Sequence, residues 1–217
     1  MKKFIIIVLI IAVIAGVYIA VKHQEEQKGE NQEIQNTVNT NVDSQNIVNT
    51  SNTNQEDNKE DLLKAMKSEK TFIDENNKEV LFKDYEIVEK EKAKPQKYTY
   101  VDLDKDGKEE LVVLTTSDYG AYIILKNIDD QIYGYKLNIR AFESLKKDGS
   151  FIGSNGAANN DYCIISFEKN KYTIKKEATF DETNKKYIIN NEDVTKEEIQ
   201  KYADQWNNKE DVTWTNY

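Results

Sequence analysis

The chain has 217 residues with 30 basic and 39 acidic side chains, a formal net charge of −9, one Cys and one His. One Cys excludes an internal disulfide and a multi-cysteine zinc or iron–sulfur site, and a single His beside an apolar segment leaves no Ser-His-Asp triad, Cys-His dyad or His-cluster metal site. The acidic balance argues against a nucleic-acid partner, because phosphate binding needs clustered Lys and Arg.

An uncharged apolar segment lies near the amino terminus. Residues 4–21 are 18 consecutive residues dominated by Ile, Val, Leu and Ala, and as a helix they span roughly 27 Å, close to the hydrocarbon thickness of a bilayer. Lys2 and Lys3 precede the segment, so the positive-inside rule places the amino terminus in the cytoplasm and the rest outside. The sequence predicts a transmembrane signal anchor over residues 1–22. The alternative is a signal peptide cleaved after Ala15, which releases a secreted protein.

Residues 23–58 are mostly Asn, Gln, Thr, Ser and Glu, with a few aliphatic residues that follow no helical or alternating period. Such a segment buries too little apolar surface to offset the entropy of ordering its backbone. It is therefore predicted to be a disordered tether, and a flexible coil of this length spans roughly 33 Å.

The remaining residues, 59–217, are enough for one exported domain with a substantial core. A short helix is predicted over residues 60–68, with Leu62, Leu63 and Met66 on one side. Strand signals then follow one another through short turns, and the clearest is the alternation of Tyr133, Tyr135 and Leu137 with smaller or polar residues. The predicted strands cover residues 98–103, 111–115, 121–125, 133–139, 163–167, 172–174 and 187–189.

A helix near the carboxyl terminus has a complete start signal. Thr195 is the predicted N-cap, Glu198 completes a capping box, and Val194 and Ile199 occupy the positions of a hydrophobic staple. Since the strands are joined without the alternating helices of parallel folds, the predicted fold class is α+β. We expect a mostly antiparallel β-meander sheet with a short N-terminal helix and this capped C-terminal helix, preceded by one transmembrane helix.

The acidic loop between the first two of these strands carries the chemistry. Residues 102–110 follow the pattern D-x-D-x-D-G-x-x-E, and alternating Asp residues on a tight loop direct several carboxylates toward one point. Gly107 permits the turn that lets the Lys108 carbonyl face inward. Calcium prefers six to eight oxygen ligands, and closely spaced carboxylates repel one another without a cation. The predicted calcium ligands are Asp102, Asp104, Asp106, the Lys108 carbonyl and Glu110.

This loop resembles two known calcium-binding loops. The EF-hand shares the D-x-D-x-D-G start, but its aliphatic eighth position and its glutamate at position twelve are Glu109 and Val113 here. The loop is more similar to the calcium hairpin of FG-GAP and VCBS-type repeats, in which D-x-D-x-D-G-x-x-D/E connects two strands. The whole layout also resembles uncharacterised membrane-anchored surface proteins of Gram-positive bacteria. That resemblance implies an exported location and an α+β domain.

Two functions from different classes fit these features. The first is a membrane-tethered extracellular module, stabilised by calcium, that binds a cell-wall component or a surface protein. The second is an exported hydrolase of cell-wall glycan that uses two carboxylates, such as Glu86 or Asp118 with an acidic neighbour. No catalytic residue is assigned, since a strongly charged chain offers many carboxylate pairs by chance. Cys163 is predicted to be a buried apolar residue of a strand.

Overall fold

The computed structural model describes residues 44–88, 91–116, 120–156 and 158–217. Residues 49–217 form one compact unit, and of the preceding unit only residues 44–48 are described. The predicted anchor over residues 1–22 and residues 23–43 of the predicted tether lie outside the described residues. Within the described part of the chain, no helix combines the length and the apolar character needed to cross a membrane.

The described residues are mostly β-strand with two α-helices, which confirms the α+β class. Helix α1 is Ser44–Met66 and helix α2 is Lys196–Asn207. The strands in chain order are β1 Phe72–Ile73, β2 Glu79–Val80, β3 Glu86–Val88, β4 Glu91–Lys92, β5 Pro95–Val101, β6 Glu110–Thr115, β7 Ala121–Ile128, β8 Gln131–Asn138, β9 Phe151–Gly156, β10 Asn159–Glu168, β11 Lys171–Asp181, β12 Lys186–Ile189, β13 Glu192–Asp193 and β14 Thr215–Asn216.

Among these strands there are two large sheets, where the sequence predicted one meander. The first has the order β14-β5-β6-β7-β8-β1-β2 and the second the order β13-β12-β11-β10-β9, while β3 and β4 form a separate hairpin. The described pairings are antiparallel except that of β1 with β8, where Ile73 lies opposite Tyr133. Strands β6, β7 and β8 are buried on both faces. A sheet with two apolar faces needs a layer on each side, and the second sheet supplies one of them.

Three apolar clusters separate four layers. The first cluster joins α1 to one face of the seven-stranded sheet and includes Leu62, Met66, Phe72, Leu111 and Ile123. The second fills the space between the two sheets and includes Val112, Ile124, Tyr135, Phe151 and Ile165. The third joins the outer face of the five-stranded sheet to α2 and includes Tyr162, Ala178, Ile199, Ala203 and Trp206. The layers are therefore helix, sheet, sheet and helix.

Helix α2 begins as the sequence predicts. The Glu198 N–H donates to Thr195 Oγ1 at 3.2 Å, and the Thr195 N–H donates to Glu198 Oε2 at 2.9 Å. This capping box satisfies two backbone N–H groups that a helix start leaves unpaired. Ile199 and Trp206 are buried against the second sheet.

Helix α1 is longer than predicted. It begins at Ser44, so residues 44–58, which the sequence assigned to the disordered tether, are helical here. The apolar residues Leu62, Ala65 and Met66 are buried against the first sheet and fix the carboxyl-terminal half of the helix. Just before these residues in the helix, Lys59 pairs with Glu109, and Asn58 Nδ2 donates to the Glu109 carbonyl at 3.4 Å. A docked segment lets a helix propagate into residues that lack an apolar period of their own.

Gly134 of β8 lies against the ring of Phe72, and this contact leads to a stability prediction. A Cβ at position 134 falls 2.3 Å from Phe72 Cε2, and Phe72 is fully buried. Replacing Gly134 with Ala is therefore expected to lower the free energy of unfolding by about 1–3 kcal/mol through overpacking. Urea denaturation of the full chain measures the loss. Gly153→Ala is the matched control, because its Cβ meets no atom closer than 3.6 Å; equal losses for both variants would contradict the prediction.

Candidate metal centre

The acidic loop connects β5 to β6 in an antiparallel hairpin, as the sequence predicts. Val101 pairs with Glu110 at the point where the two strands meet the loop. Lys105 and Gly107 have φ values of +63° and +86°, and Gly107 suits this left-handed region because it has no Cβ. The Gly107 N–H donates to Asp102 Oδ2 at 3.0 Å, and the Lys108 N–H donates to Asp106 Oδ1 at 2.8 Å. The loop backbone thus orients two of the predicted ligands.

Three of the predicted ligands come together. One carboxylate oxygen from each of Asp102, Asp104 and Asp106 lies within 4.8 Å of the others. Asp102 Oδ1 is inaccessible to solvent and has no hydrogen-bond partner in the described residues. Converging carboxylate oxygens are the ligand set that calcium and other hard cations prefer. This acidic triad can hold a metal ion.

Glu110 is not one of the three carboxylates that converge within 4.8 Å, and it has its own partners. It is fully buried, its Oε2 accepts the Leu103 N–H at 2.7 Å, and its Oε1 accepts the Lys126 ammonium at 2.5 Å. Both carboxylate oxygens are therefore engaged within the protein. The sequence assigned Glu110 the closing position of a metal site, whereas in this structure its closest contacts are with a lysine and a backbone N–H.

Lys126 belongs to this cluster, and the sequence analysis did not predict it. Its Nζ lies 3.1 Å from Asp104 Oδ1 and 2.8 Å from Asp106 Oδ2, in addition to its contact with Glu110. The side chain is only 5% exposed. Closely spaced carboxylates need a cation, and Lys126 supplies one from within the protein.

The sheet register explains how Lys126 reaches the loop. Leu111 of β6 pairs with Leu125 of β7, and the same register sets Glu110 opposite Lys126. Its ammonium also lies 5.6 Å from the ring centroid of Phe167, which belongs to the second sheet. The sequence signal was a lone Lys in the apolar strand Ala121–Ile128, in phase with the inward-facing Ile124. Lys126 reaches the acidic loop only because β7 pairs with β6, and the local sequence pattern does not specify that pairing.

Burial and charge act in opposite directions on these groups. Burial alone lowers the pKa of Lys126, but the charge of Glu110 and the hydrogen bond with Asp106 raise that pKa above its ordinary value. Burial raises the pKa of Asp106, yet hydrogen bonds from Lys126 and the Lys108 N–H bring it below its usual range. At neutral pH Lys126 is a cation and Asp106 an anion. Burial raises the pKa of the Glu110 carboxyl group to about 7 in spite of the opposing charge of Lys126. In the absence of metal, Lys126 and Asp106 are therefore charged at neutral pH, while Glu110 is partly protonated.

The loop is held on two further sides. Lys59 of α1 pairs with Glu109, and a polar cleft of about 590 Å³ separates this helix from Gly107 and Lys108. On the other side, a Cβ at Gly149 falls 2.6 Å from the Asp102 carbonyl oxygen, so only glycine fits this approach. Lys108 itself is exposed. Neighbouring elements thus fix both flanks of the loop, while the tip of the loop faces solvent.

Of the two residues named for the alternative hydrolase, only Glu86 is among the described residues. Glu86 is exposed on β3, and Asp118 lies outside the described residues. Asp74, another buried acid, accepts the N–H groups of Asn76 and Lys78 within its own turn. Cys163 is buried between the sheets, as predicted, and burial raises the pKa of its thiol to about 11. A thiol with this pKa is protonated at neutral pH and is a poor nucleophile.

Comparison of this chain with protein families, with curated proteins and with solved structures gives no match. Function is therefore inferred from the geometry of residues 102–110 and Lys126.

Proposed function

We propose that this chain is a membrane-tethered extracellular module whose domain is stabilised by calcium and binds a cell-wall component or surface protein. The observation that carries the calcium part is the convergence of Asp102, Asp104 and Asp106 within 4.8 Å. Asp102 Oδ1, which is buried and has no hydrogen-bond partner among the described residues, adds support, since an unpaired buried carboxylate oxygen is costly unless a donor or cation meets it. The apolar segment over residues 4–21 and the preceding lysines support the tether.

The proposed ion is held by Asp102, Asp104, Asp106 and the Lys108 carbonyl, with water completing the coordination. Glu110 joins this set only by releasing the Lys126 ammonium. Carboxylate and carbonyl oxygens favour hard divalent cations, and calcium tolerates the irregular geometry of such a loop better than magnesium does. The ion's role in this proposal is to stabilise the hairpin rather than to perform chemistry.

A thermal melt of the full chain in detergent micelles tests the calcium site. Calcium at about 100 times its Kd is expected to add about 2.7 kcal/mol to the stability of the folded state. For a domain of this size that raises Tm by several degrees relative to the same protein in chelator. The Asp104→Ala, Asp106→Ala double variant is expected to lose this response, because it removes two of the three converging carboxylates.

A matched control variant tests whether the loss of any two negative charges changes the calcium-induced rise in Tm. The Glu192→Gln, Asp193→Asn double variant also removes two negative charges, but from the exposed strand β13. We expect this variant to keep the full rise in Tm with calcium. A wild-type chain whose Tm does not change in about 10 mM calcium, roughly tenfold above the Kd of the weakest extracellular calcium modules, would contradict the proposal. So would a loop double variant that responds as strongly as the wild type.

The proposed membrane anchor leads to a separate prediction about the amino terminus of the mature protein. An uncleaved anchor leaves residues 1–22 on the cell-associated protein, with the domain accessible to added protease on intact cells. Amino-terminal sequencing of the cell-associated and secreted fractions checks this. A mature chain that begins at Gly16 and is found in the culture medium would show that the segment is a cleaved signal peptide.

A further inference from the structure

The Lys126 ammonium of β7 lies against the acidic loop and contacts carboxylates that a bound metal ion would use. Lys126 Nζ is within 3.1 Å of oxygens from Asp104, Asp106 and Glu110. Two of these acids, Asp104 and Asp106, are also members of the triad that converges within 4.8 Å. The ammonium and an incoming ion would therefore share the same carboxylates.

We infer that Lys126 is an intramolecular competitor of calcium, which keeps the loop folded without metal and weakens its calcium affinity. The inference rests on the proposed function, since it concerns the same site. The site holds four carboxyl groups, those of Asp102, Asp104, Asp106 and Glu110, and the Lys126 ammonium contacts three of them. Bound calcium must compete with the ammonium for the carboxylates of Asp104 and Asp106.

The ammonium cannot readily leave the site. Lys126 lies in the middle of the first sheet, it is 4% exposed, and the Phe167 ring of the facing sheet lies 5.6 Å from its Nζ. A cation and a divalent ion held a few ångströms apart repel each other strongly in a partly buried site. Calcium affinity is therefore low, of the order found in extracellular modules, with a Kd of about 10⁻⁴–10⁻³ M. The loop then takes up calcium only where the free ion is plentiful, as it is outside a cell.

Isothermal titration of calcium into the chelator-stripped full chain in detergent micelles tests the inference. Lys126→Met is expected to lower the Kd for calcium at least about tenfold, because it removes the competing charge without shortening the side chain greatly. That variant leaves the buried Glu110 unpaired and could fold poorly. A second comparison avoids this problem: Glu110→Gln with and without Lys126→Met, where no buried carboxylate is left at position 110.

Lys105→Asn is the matched charge control. Lys105 is exposed at the tip of the loop, with a φ of +63° that asparagine tolerates. It removes one positive charge from the same loop without touching the carboxylates. We expect a change in Kd of less than about threefold at physiological ionic strength, since exposed charges are screened.

The outcomes separate this inference from the proposed function. Tighter calcium binding in both Lys126→Met proteins than in their lysine-bearing parents supports the competitor role. If the variants bind calcium in this way but the wild type binds none, the competitor role stands and only the proposed function is overturned. Calcium binding of equal or lower affinity in the Lys126→Met proteins overturns the inference and leaves the calcium site standing. Absence of binding in every variant up to 10 mM calcium, a concentration about tenfold above the weakest expected Kd, overturns both.

Discussion

Replacing Lys126 with methionine is expected to lower the free energy of unfolding in chelator by about 3–5 kcal/mol, the usual cost of removing one partner of a buried ion pair. The side chain of Glu110 is 0% exposed, and among the described residues it forms its ion pair with Lys126, at 2.5 Å. Without the ammonium, a buried carboxylate lies beside Asp104 and Asp106 with no compensating charge. Urea denaturation followed by circular dichroism measures the loss.

A double variant separates the ion pair from simple packing. Glu110→Gln together with Lys126→Met removes both charges and leaves an acceptor for the Leu103 N–H, so we expect it to recover most of the lost stability. Lys171→Met is the matched control, since the Lys171–Glu168 pair is exposed and exposed pairs contribute about 0–1 kcal/mol. A Lys126→Met protein that loses no more stability than Lys171→Met would show that the buried pair is not important to the fold.

Replacing Phe151 with alanine is expected to lower the free energy of unfolding by about 3–5 kcal/mol. Phe151 is fully buried between the two sheets, and its ring centroid lies 4.4 Å from that of Phe142. Truncation leaves a cavity in the layer that joins the sheets, beside the ring of Phe142. The same denaturation experiment measures the loss and tests the two-sheet architecture directly.

Phe180→Ala is the matched control for this truncation. Phe180 is only partly buried, and it packs against Tyr187, with ring centroids 5.5 Å apart, outside the layer between the sheets. We expect its loss to be clearly smaller than that of Phe151→Ala, because less apolar surface leaves water on folding. Similar losses at the two positions would indicate that the second sheet does not pack on the first through Phe151.

Local sequence signals were sufficient wherever neighbouring residues decide the structure. The capping box of Thr195 and Glu198 lies within one helical turn, so it is visible in the sequence and is present in the structure. The convergence of Asp102, Asp104 and Asp106 is equally local, because a tight loop with Gly107 brings alternate residues together. The burial of Cys163 follows from its phase with Ile165 in an alternating strand.

Long-range pairing decided the features that the sequence analysis missed. The parallel contact of β1 with β8 joins residues 60 positions apart, Ile73 and Tyr133, and no local period encodes such a pairing. The division into two sheets depends on which apolar faces cover one another after the chain turns at residues 139–150. The amino-terminal extension of α1 likewise accompanies contacts of Asn58 and Lys59 with Glu109, about 50 positions away.

The α+β class, the capped helix, the acidic hairpin and its three converging aspartates could be predicted from local sequence patterns, because each depends on residues close together in the chain. The contact of Glu110 with Lys126 could not be predicted in this way. That contact requires β6 and β7 to pair in one register and the second sheet to bury the pair. A lysine and a glutamate 16 positions apart become a single charged group only after the sheets have packed.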